Sequence, residues 1–333
     1  MKRLRLVITG LALSCLASAG SAAERRGGLA LQFDDGWHSW LTEVAPLVKA
    51  HGGVATGFVN NKYVVNGRIT LDELRQLQNE YGWEIGSHTA NHYHAPRYVQ
   101  TKGLEAWLAN ELEPSLSLLR EEGLRVNALV FPFNASTPDI AKAAMAQVGS
   151  FRRVDPLALA DGVRPDGSLP GTSIDTTQYA PLELVKKWID LAQRRDSVLF
   201  LYGHRILPDA AFATGRVVEV SATAVTLDRP VALEAGEEYV LVPDMERRQS
   251  VQSVFAVQGA EGATVTVPEL VPGSVAVGNQ VLVGPSYGTR RSDFEEMLRY
   301  AAERLRFYTI ADIQAGKHRS QPLPAERDQG VVP

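Results

Sequence analysis

The chain has 333 residues, with 34 Lys+Arg against 38 Asp+Glu and a formal net charge of −4 at pH 7. That balance provides no basic surface for nucleic acid or for an anionic membrane. The length supports one large core plus something smaller, and the single cysteine, Cys15, excludes an intramolecular disulfide framework.

Lys2, Arg3 and Arg5 precede a mostly apolar run from Leu6 to Leu16 that is too short to span a bilayer. Ser21-Ala22-Ala23 then supplies small residues for cleavage, so residues 1–23 read as a secretory signal peptide and the product is expected to be secreted or periplasmic. A lipoprotein would use Cys15, but Ala12-Leu13-Ser14 before it is a poor lipidation signal. Cleavage takes three of the 34 basic residues, leaving a net of −7, and removes the only thiol. The mature chain must then be held by its core, and a thiolate site is excluded. No later apolar run is long enough to span a membrane.

From residue 27 to about 206, strand-like and helix-like segments alternate. Apolar strand candidates are Gly28–Phe33, Val54–Val59, Trp83–Ser87, Ala128–Phe131 and Val198–Tyr202. Between them, Thr70-Leu71-Asp72-Glu73 is a capping box, Thr137-Pro138 an N-cap with proline at the first helical position, and Leu182, Val185, Ile189 and Leu191 an apolar face. Repeated β-then-α units predict a parallel sheet covered by helices, either a barrel or a doubly wound sheet.

The pattern changes near Ala211. Short β segments follow at 217–220, 224–227, 239–242, 253–257, 263–267 and 281–283, most of them separated by turns bearing glycine or proline. Helical periodicity then returns: Ser292-Asp293-Phe294-Glu295 reads as a second capping box, with Phe294, Met297, Leu298, Ala301 and Leu305 as one stripe and Phe307 to Ile310 as a strand. A β module bracketed by α/β elements is most economically an insertion. The expected domains are an α/β unit over 24–210 and 287–316, an inserted all-β module over 211–286, and a polar, disordered tail over 317–333.

The chemistry concentrates at strand ends. Leu29 to Phe33 runs directly into Asp34-Asp35-Gly36, and burying ionised carboxylates costs several kcal/mol each unless a cation or donors compensate. One such aspartate is explained by a turn solvating the strand end; two after so apolar a run suggest a metal, a proton-transfer role, or both. In Gly86-Ser87-His88-Thr89-Ala90-Asn91-His92, the histidines are four apart, so one helical turn would put both imidazoles on one side. With one carboxylate they would make a two-His, one-carboxylate triad suited to zinc or another divalent first-row metal. Alone, such a pair is weak evidence for a metal, the alternative being two solvated imidazoles on a polar loop. The residue after His88 is not glutamate, which argues against a zincin-type protease. A third apolar strand, Val198 to Gly203, ends in His204. In parallel α/β folds, sites assemble at the carboxyl ends of strands.

These residues, Phe33-Asp34-Asp35-Gly36, His88-Thr89-Ala90-Asn91-His92 and the strand ending at His204, resemble the polysaccharide deacetylases of the NodB-homology type, carbohydrate esterase family 4. The likeness covers roughly residues 27–206 and resumes at 288–313. It implies an α/β fold, a distorted (β/α)7-type barrel, here with the inserted small all-β domain, and hydrolysis of N-acetyl groups on an amino-sugar polysaccharide. Carried over by position, it implies that Asp35, His88 and His92 hold a divalent metal, Zn2+ first with Co2+ or Ni2+ as alternatives. It makes Asp34 the catalytic base, His204 the catalytic acid, and the backbone N–H of Phe133, in Val130-Phe131-Pro132-Phe133-Asn134, an oxyanion donor. The implied partner is an acetylated polysaccharide, with no nucleic acid and no membrane span. The alternatives are a polysaccharide O-acetyl esterase and a degenerate glycan-binding protein.

Several positions depart from the family pattern. Val130 stands where an arginine commonly orients the base, with Arg152 or Arg153 as substitutes, and Tyr202 replaces a leucine that lines the acetyl pocket. No clear fourth motif is present, though Asp175 is a candidate remnant. Trp37 and Tyr93, with Tyr202, are candidate substrate contacts, stacking on a sugar ring or else packing in the core. His38, His51, His94 and His318 read as surface residues or supports. The β module is read as a surface for glycan or for a protein partner, or as a subdomain without a catalytic role.

Overall fold

A computed structural model describes residues 26–247 and 250–319. The signal-peptide reading, Cys15 and most of the tail lie outside the described residues.

The first eight strands are β1 (Gly28–Asp35), β2 (Ala55–Val59), β3 (Glu84–Ser87), β4 (Ala128–Leu129), β5 (Ser150–Val154), β6 (Leu159–Ala160), β7 (Ser168–Ser173) and β8 (Val198–Gly203). All but β6 run parallel, in the order β1-β2-β3-β4-β5-β7-β8, and β8 pairs back on β1 from Gly28 opposite Val198 to Phe33 opposite Gly203. The sheet therefore closes, which selects the seven-stranded barrel over the doubly wound alternative. β1 is buried on both faces, consistent with its continuous apolar run. Between β1 and the covering helices, on the face opposite to Asp34, Phe33 stacks on Trp83 with ring centroids 5.5 Å apart and lies 6.4 Å from Trp40, while Phe294 meets it edge-on at 6.0 Å.

The chain leaves the barrel through β9 (Arg205–Leu207). It then forms β10 (Ala213–Val220), β11 (Ala224–Leu227), β12 (Tyr239–Val242), β13 (Phe255–Val257), β14 (Gly259–Glu261), β15 (Thr264–Thr266) and β16 (Gln280–Pro285). These seven make one antiparallel sheet in the order β13-β12-β16-β10-β11-β15-β14, over a separate buried cluster that includes Val217, Val225, Leu241, Val265 and Val281. The chain returns through β17 (Gly288–Arg290), which pairs parallel with β9, Gly288 opposite Arg205. The strands entering and leaving the β sheet thus pair side by side, and further contacts to the barrel side run from Gln252 N to the Tyr179 carbonyl and from Arg205 to Glu237.

Local signals explain several boundaries. Thr70 caps the helix Leu71–Tyr81 with both halves of the box, its hydroxyl accepting from Glu73 N at 3.2 Å and its own N–H donating to Glu73 Oε2 at 2.8 Å. Thr137 accepts from Ile140 N ahead of Pro138. The second expected box does not form. The helix Arg291–Ala302 begins after Arg290 without a side-chain cap, and Ser292 lies inside it, its N–H donating instead to Asp209 at 3.0 Å. Pairing of β17 with β9 carries the chain into the helix two residues early. The strand expected over 307–310 is only β18 (Arg306–Phe307), because Thr309 caps a helix, Ile310–Gln314, with Asp312. At the start of the tail, Lys317–Arg319 forms a short turn of helix.

Candidate active site

Every candidate catalytic side chain sits at the carboxyl end of a barrel strand or just past it. Asp34 and Asp35 end β1, His88 follows β3, Phe133 follows β4, and His204 follows β8. Gly36 allows the turn: it sits at φ +97°, and a Cβ there would lie 2.6 Å from Val59 Cγ2. Backbone strain collects here. Of the seven non-glycine residues with positive φ among those described, Asp35, Thr89, His92, Phe133 and Asn134 all belong to this site. Such conformations cost roughly 1–3 kcal/mol each and persist where surrounding contacts enforce them.

The His88–His92 segment is not the helical turn that its spacing suggests. It is a loop, with Thr89 at φ 64° and His92 at φ 61°. Its shape is held from below: Asn91 N and Nδ2 donate to the buried Glu111 carboxylate at 3.0 and 2.7 Å, and Ala90 N donates to the Glu111 carbonyl at 2.9 Å. The loop still brings the two imidazoles together, ring centroids 4.8 Å apart. His88 Nε2 lies 3.6 Å and His92 Nε2 3.4 Å from Asp35 Oδ1.

These three groups fit a metal on four counts. Asp35 Oδ1 is buried with no hydrogen-bond partner, an orphaned anion oxygen between two nitrogens. Ligand atoms about 2.0–2.1 Å from a tetrahedral ion stand about 3.3 Å apart, close to the spacings seen. His88 Nδ1 is 2.7 Å from the Val130 carbonyl, which places the ring proton there and leaves Nε2 as a lone-pair donor. Burial, reinforced at His92 by the neighbouring His88, lowers both histidines to about 4, so both are neutral ligands at pH 7. Burial also pushes the Asp35 carboxyl up from its usual value. Among the described residues, this is the one such cluster of three possible ligands.

Asp34 is held differently. Arg152 on β5 reaches it with Nη1 on Oδ1 at 2.9 Å and Nη2 on Oδ2, and Nη2 also donates to Asn134 Oδ1 at 3.1 Å. Burial would raise the Asp34 pKa, but the Arg152 guanidinium overrides it and keeps the carboxyl below the ordinary range. Of Arg152 and Arg153, Arg152 is the one that reaches Asp34. Arg153 points out and pairs with Asp166 at 3.4 Å. Tyr202 supports this arrangement: the Arg152 guanidinium lies 3.8 Å from its ring centroid, and its hydroxyl accepts from Asn134 Nδ2 at 3.3 Å.

His204 is set by Asp175, just beyond β7. The Asp175 carboxylate is 2.7 Å from His204 Nδ1 and accepts from His204 N at 3.2 Å, while Trp40 Nε1 donates to the His204 carbonyl at 3.0 Å. Burial alone would strip the imidazolium of its proton. The Asp175, Asp34 and Asp35 charges outweigh that and raise His204 to about 9. One groove of about 670 Å³ joins Asp34, Asp35, His88, His92, Phe133, Arg152, Asp175, Tyr202 and His204.

Phe133 sits at φ 60° with its ring exposed over the groove, against His92 at 4.9 Å. Among the described residues its amide has no acceptor. Trp37 lines the groove, but Tyr93 does not: it is exposed and stacks on Tyr98 at 5.7 Å, because the turn at His92 sends it outward. His94 accepts from Arg97 N as a helix cap and stacks on Phe133, and His318 binds the Asp161 carbonyl. His38 is exposed and pairs with Glu73, and His51 ends the helix Ala45–Ala50. Sequence reasoning passed over Arg68, Arg205, Glu237 and Tyr287, all of which line the groove. Tyr287, on the chain returning from the β sheet, packs on His204 with centroids 4.9 Å apart.

A strand-end triad for a metal, flanked by a fixed carboxylate and a charged histidine, is an arrangement suited to metal-assisted hydrolysis. Residues 22–145 match the model of the polysaccharide deacetylase family, and that segment is a polysaccharide deacetylase domain of the NodB, carbohydrate esterase family 4 type. Arg152, Asp175 and His204 lie beyond the matched residues. No curated protein matches the chain. Among solved structures, the BpsB deacetylase domain from Bordetella bronchiseptica is 19% identical over 38% of this chain and 64% of that one, with a TM-score of 0.33. A mutant of the peptidoglycan deacetylase PdaC from Bacillus subtilis is 20% identical over 36% of this chain and 55% of that one, at 0.30. A family 4 carbohydrate esterase from Streptomyces lividans, in complex with acetate, is 14% identical over 54% and 80%, at 0.36. The chain therefore spans less than two thirds of the first two.

Proposed function

We propose that the protein is an exported, metal-dependent deacetylase that removes N-acetyl groups from an amino-sugar polysaccharide. The observation carrying this reading is geometric: the two groups flanking one triad are each locked to a partner of opposite charge, Asp34 to Arg152 and His204 to Asp175.

Asp35, His88 and His92 are the residues to hold the ion, zinc by their chemistry, and when bound it polarises the acetyl carbonyl and acidifies water. Asp34 accepts the proton of the attacking water, since its carboxylate is ionised and its orientation is fixed by two bonds from Arg152. The free Phe133 amide donates to the oxygen on which negative charge develops. His204 gives its proton to the departing nitrogen. An amine is a poor leaving group until protonated, whereas an alkoxide is less demanding, so an imidazolium kept charged to about 9 favours amide over ester hydrolysis. Export rests on the reading of residues 1–23.

The test is acetate release from peptidoglycan, chitin oligomers, poly-N-acetylglucosamine and acetylxylan, with Asp34→Asn as control. The expected result is turnover of an N-acetylated polymer, with Asp34→Asn retaining its metal and losing about 10²–10⁴ in rate. Full activity in that variant overturns the base assignment, and activity confined to acetylxylan overturns the N-acetyl reading.

A further inference from the structure

Three arginines line the groove, and two are already paired. Arg152 is bound to Asp34. Arg205 donates to Glu237 through Nη1 at 2.8 Å and Nη2 at 2.5 Å, and to the Tyr287 carbonyl through Nε at 3.2 Å. Arg68 is the third. Its guanidinium carbon lies 4.0 Å from the Trp37 centroid and 3.7 Å from the Tyr63 centroid, so aromatic faces hold the plane in place. Its backbone is pinned as well, Arg68 N donating to the Tyr63 carbonyl at 2.9 Å and the Arg68 carbonyl accepting from His38 N at 2.9 Å. Among the described residues, no carboxylate comes within ion-pair distance of it and no hydrogen bond uses its side-chain N–H groups. Stacking fixes a guanidinium while leaving its N–H edge unspent, and that edge matches a carboxylate in a two-point fork.

Asp35 lies near enough to feel the Arg68 charge, but among the described residues no groove carboxylate forms an ion pair with it. Asp34 is matched by Arg152, Asp175 by His204 and Glu237 by Arg205, and Asp35 faces the two histidines. Glu238 has no charged partner among the described residues, but it follows Glu237 on the loop gripped by Arg205.

We propose that Arg68 is a specificity-determining residue that receives a carboxylate of the glycan, so that the site prefers N-acetylhexosamine units in an anionic polymer over those in a neutral one. This rests on the deacetylase reading above. The carboxylate has two possible sources: an ether-linked lactyl group on the hexosamine, or a neighbouring uronic acid.

The experiment compares wild type, Arg68→Gln and Arg68→Lys on three oligomers of equal length. These are N-acetylglucosamine alone, a lactyl-bearing peptidoglycan strand, and an alternating N-acetylhexosamine–uronic acid chain. KM and kcat are read from acetate release, and affinity from calorimetry of the same oligomers. Losing one two-point charged contact is worth about ten- to a hundredfold. Arg68→Gln is expected to raise KM by that factor on one anionic oligomer, with kcat little changed and the neutral oligomer within twofold, and Arg68→Lys to recover part of the loss. The oligomer that shows the loss identifies the source. Equal effects on neutral and anionic oligomers, or none on either, overturn the proposal, since a packing role between Trp37 and Tyr63 does not sense substrate charge. If wild type releases acetate from none of them, the deacetylase reading fails and affinity decides the anion site. A tenfold preference for an anionic oligomer that vanishes in Arg68→Gln supports it; equal or absent binding overturns it.

Discussion

Arg152 grips Asp34 from 118 residues further along the chain, and both side chains are almost wholly withdrawn from water. A lone carboxylate at that depth carries a large desolvation penalty, so the arginine is what allows an ionised carboxylate beneath the groove. Arg152→Met removes the partner and leaves the charge. We expect a loss of about 3–5 kcal/mol in urea denaturation, together with loss of acetate release. The double variant Arg152→Met/Asp34→Asn is expected to regain most of the stability and none of the activity. A single-variant cost below about 1 kcal/mol contradicts the account, being no more than an exposed pair provides.

The pH profile follows from His204. Its pKa is raised to about 9, so the imidazolium is present below that value and is lost as pH rises through it. The alkaline limb of kcat/KM is expected near pH 9, and Asp175→Asn is expected to move it to lower pH by removing the charge on Nδ1. The same pair contributes stability that is fully present below the unfolded value of 6.5 and lost as pH rises through about 9. Unchanged limbs in Asp175→Asn would sink the assignment of His204 as the acid.

Removal of the ion separates its role from folding. Chelation is expected to abolish acetate release while leaving the far-ultraviolet dichroism of the barrel intact, and added zinc is expected to restore turnover. His92→Ala is expected to lose stoichiometric metal, measured by elemental analysis. An ion that binds only the folded chain stabilises it, so zinc at about 100 times its Kd is expected to add about 2.7 kcal/mol of stability to wild type and little to the variant.

Glu84, on β3, gives a pH signal unconnected with catalysis. Burial pushes its carboxyl to about 7, although Oε2 accepts from Ala311 N at 2.6 Å and Thr56 Oγ1 at 3.2 Å, and Oε1 is buried without a partner. The folded chain therefore holds a proton between 4.5 and about 7 that the unfolded chain has released. Stability is expected to fall as pH rises across that window, by on the order of 3 kcal/mol, and to level off above it. Glu84→Gln is expected to flatten that slope in denaturation curves between pH 4.5 and 8. An unaltered slope would assign the pH dependence to another group.

The short-range chemistry was legible before the fold was. Apolar runs ending in Asp34-Asp35 and in His204, the spacing of His88 and His92, and the Thr70 cap are each written within a few residues, where burial cost and hydrogen-bond geometry act locally. Alternating β and α segments implied parallel strands, but an open and a closed sheet both fit them until β8 paired with β1. The helical reading of residues 88–92 failed because spacing reports which residues are near in sequence, whereas their loop is set by Glu111.

What remained open at the site was a matter of which faces converge. Arg152 and Arg153 are neighbours of identical chemistry, and strand alternation sends one to Asp34 and the other to Asp166. Asp175 becomes the partner of His204 only because β7 and β8 are adjacent in the closed barrel. Arg68 and Tyr287 reach one groove from opposite ends of the chain. The sequence by itself determined which side chains could bind a metal and move protons. Tertiary structure alone decided which charges neutralise one another and which guanidinium keeps its edge free, because those pairings depend on distances across the barrel that no local spacing encodes.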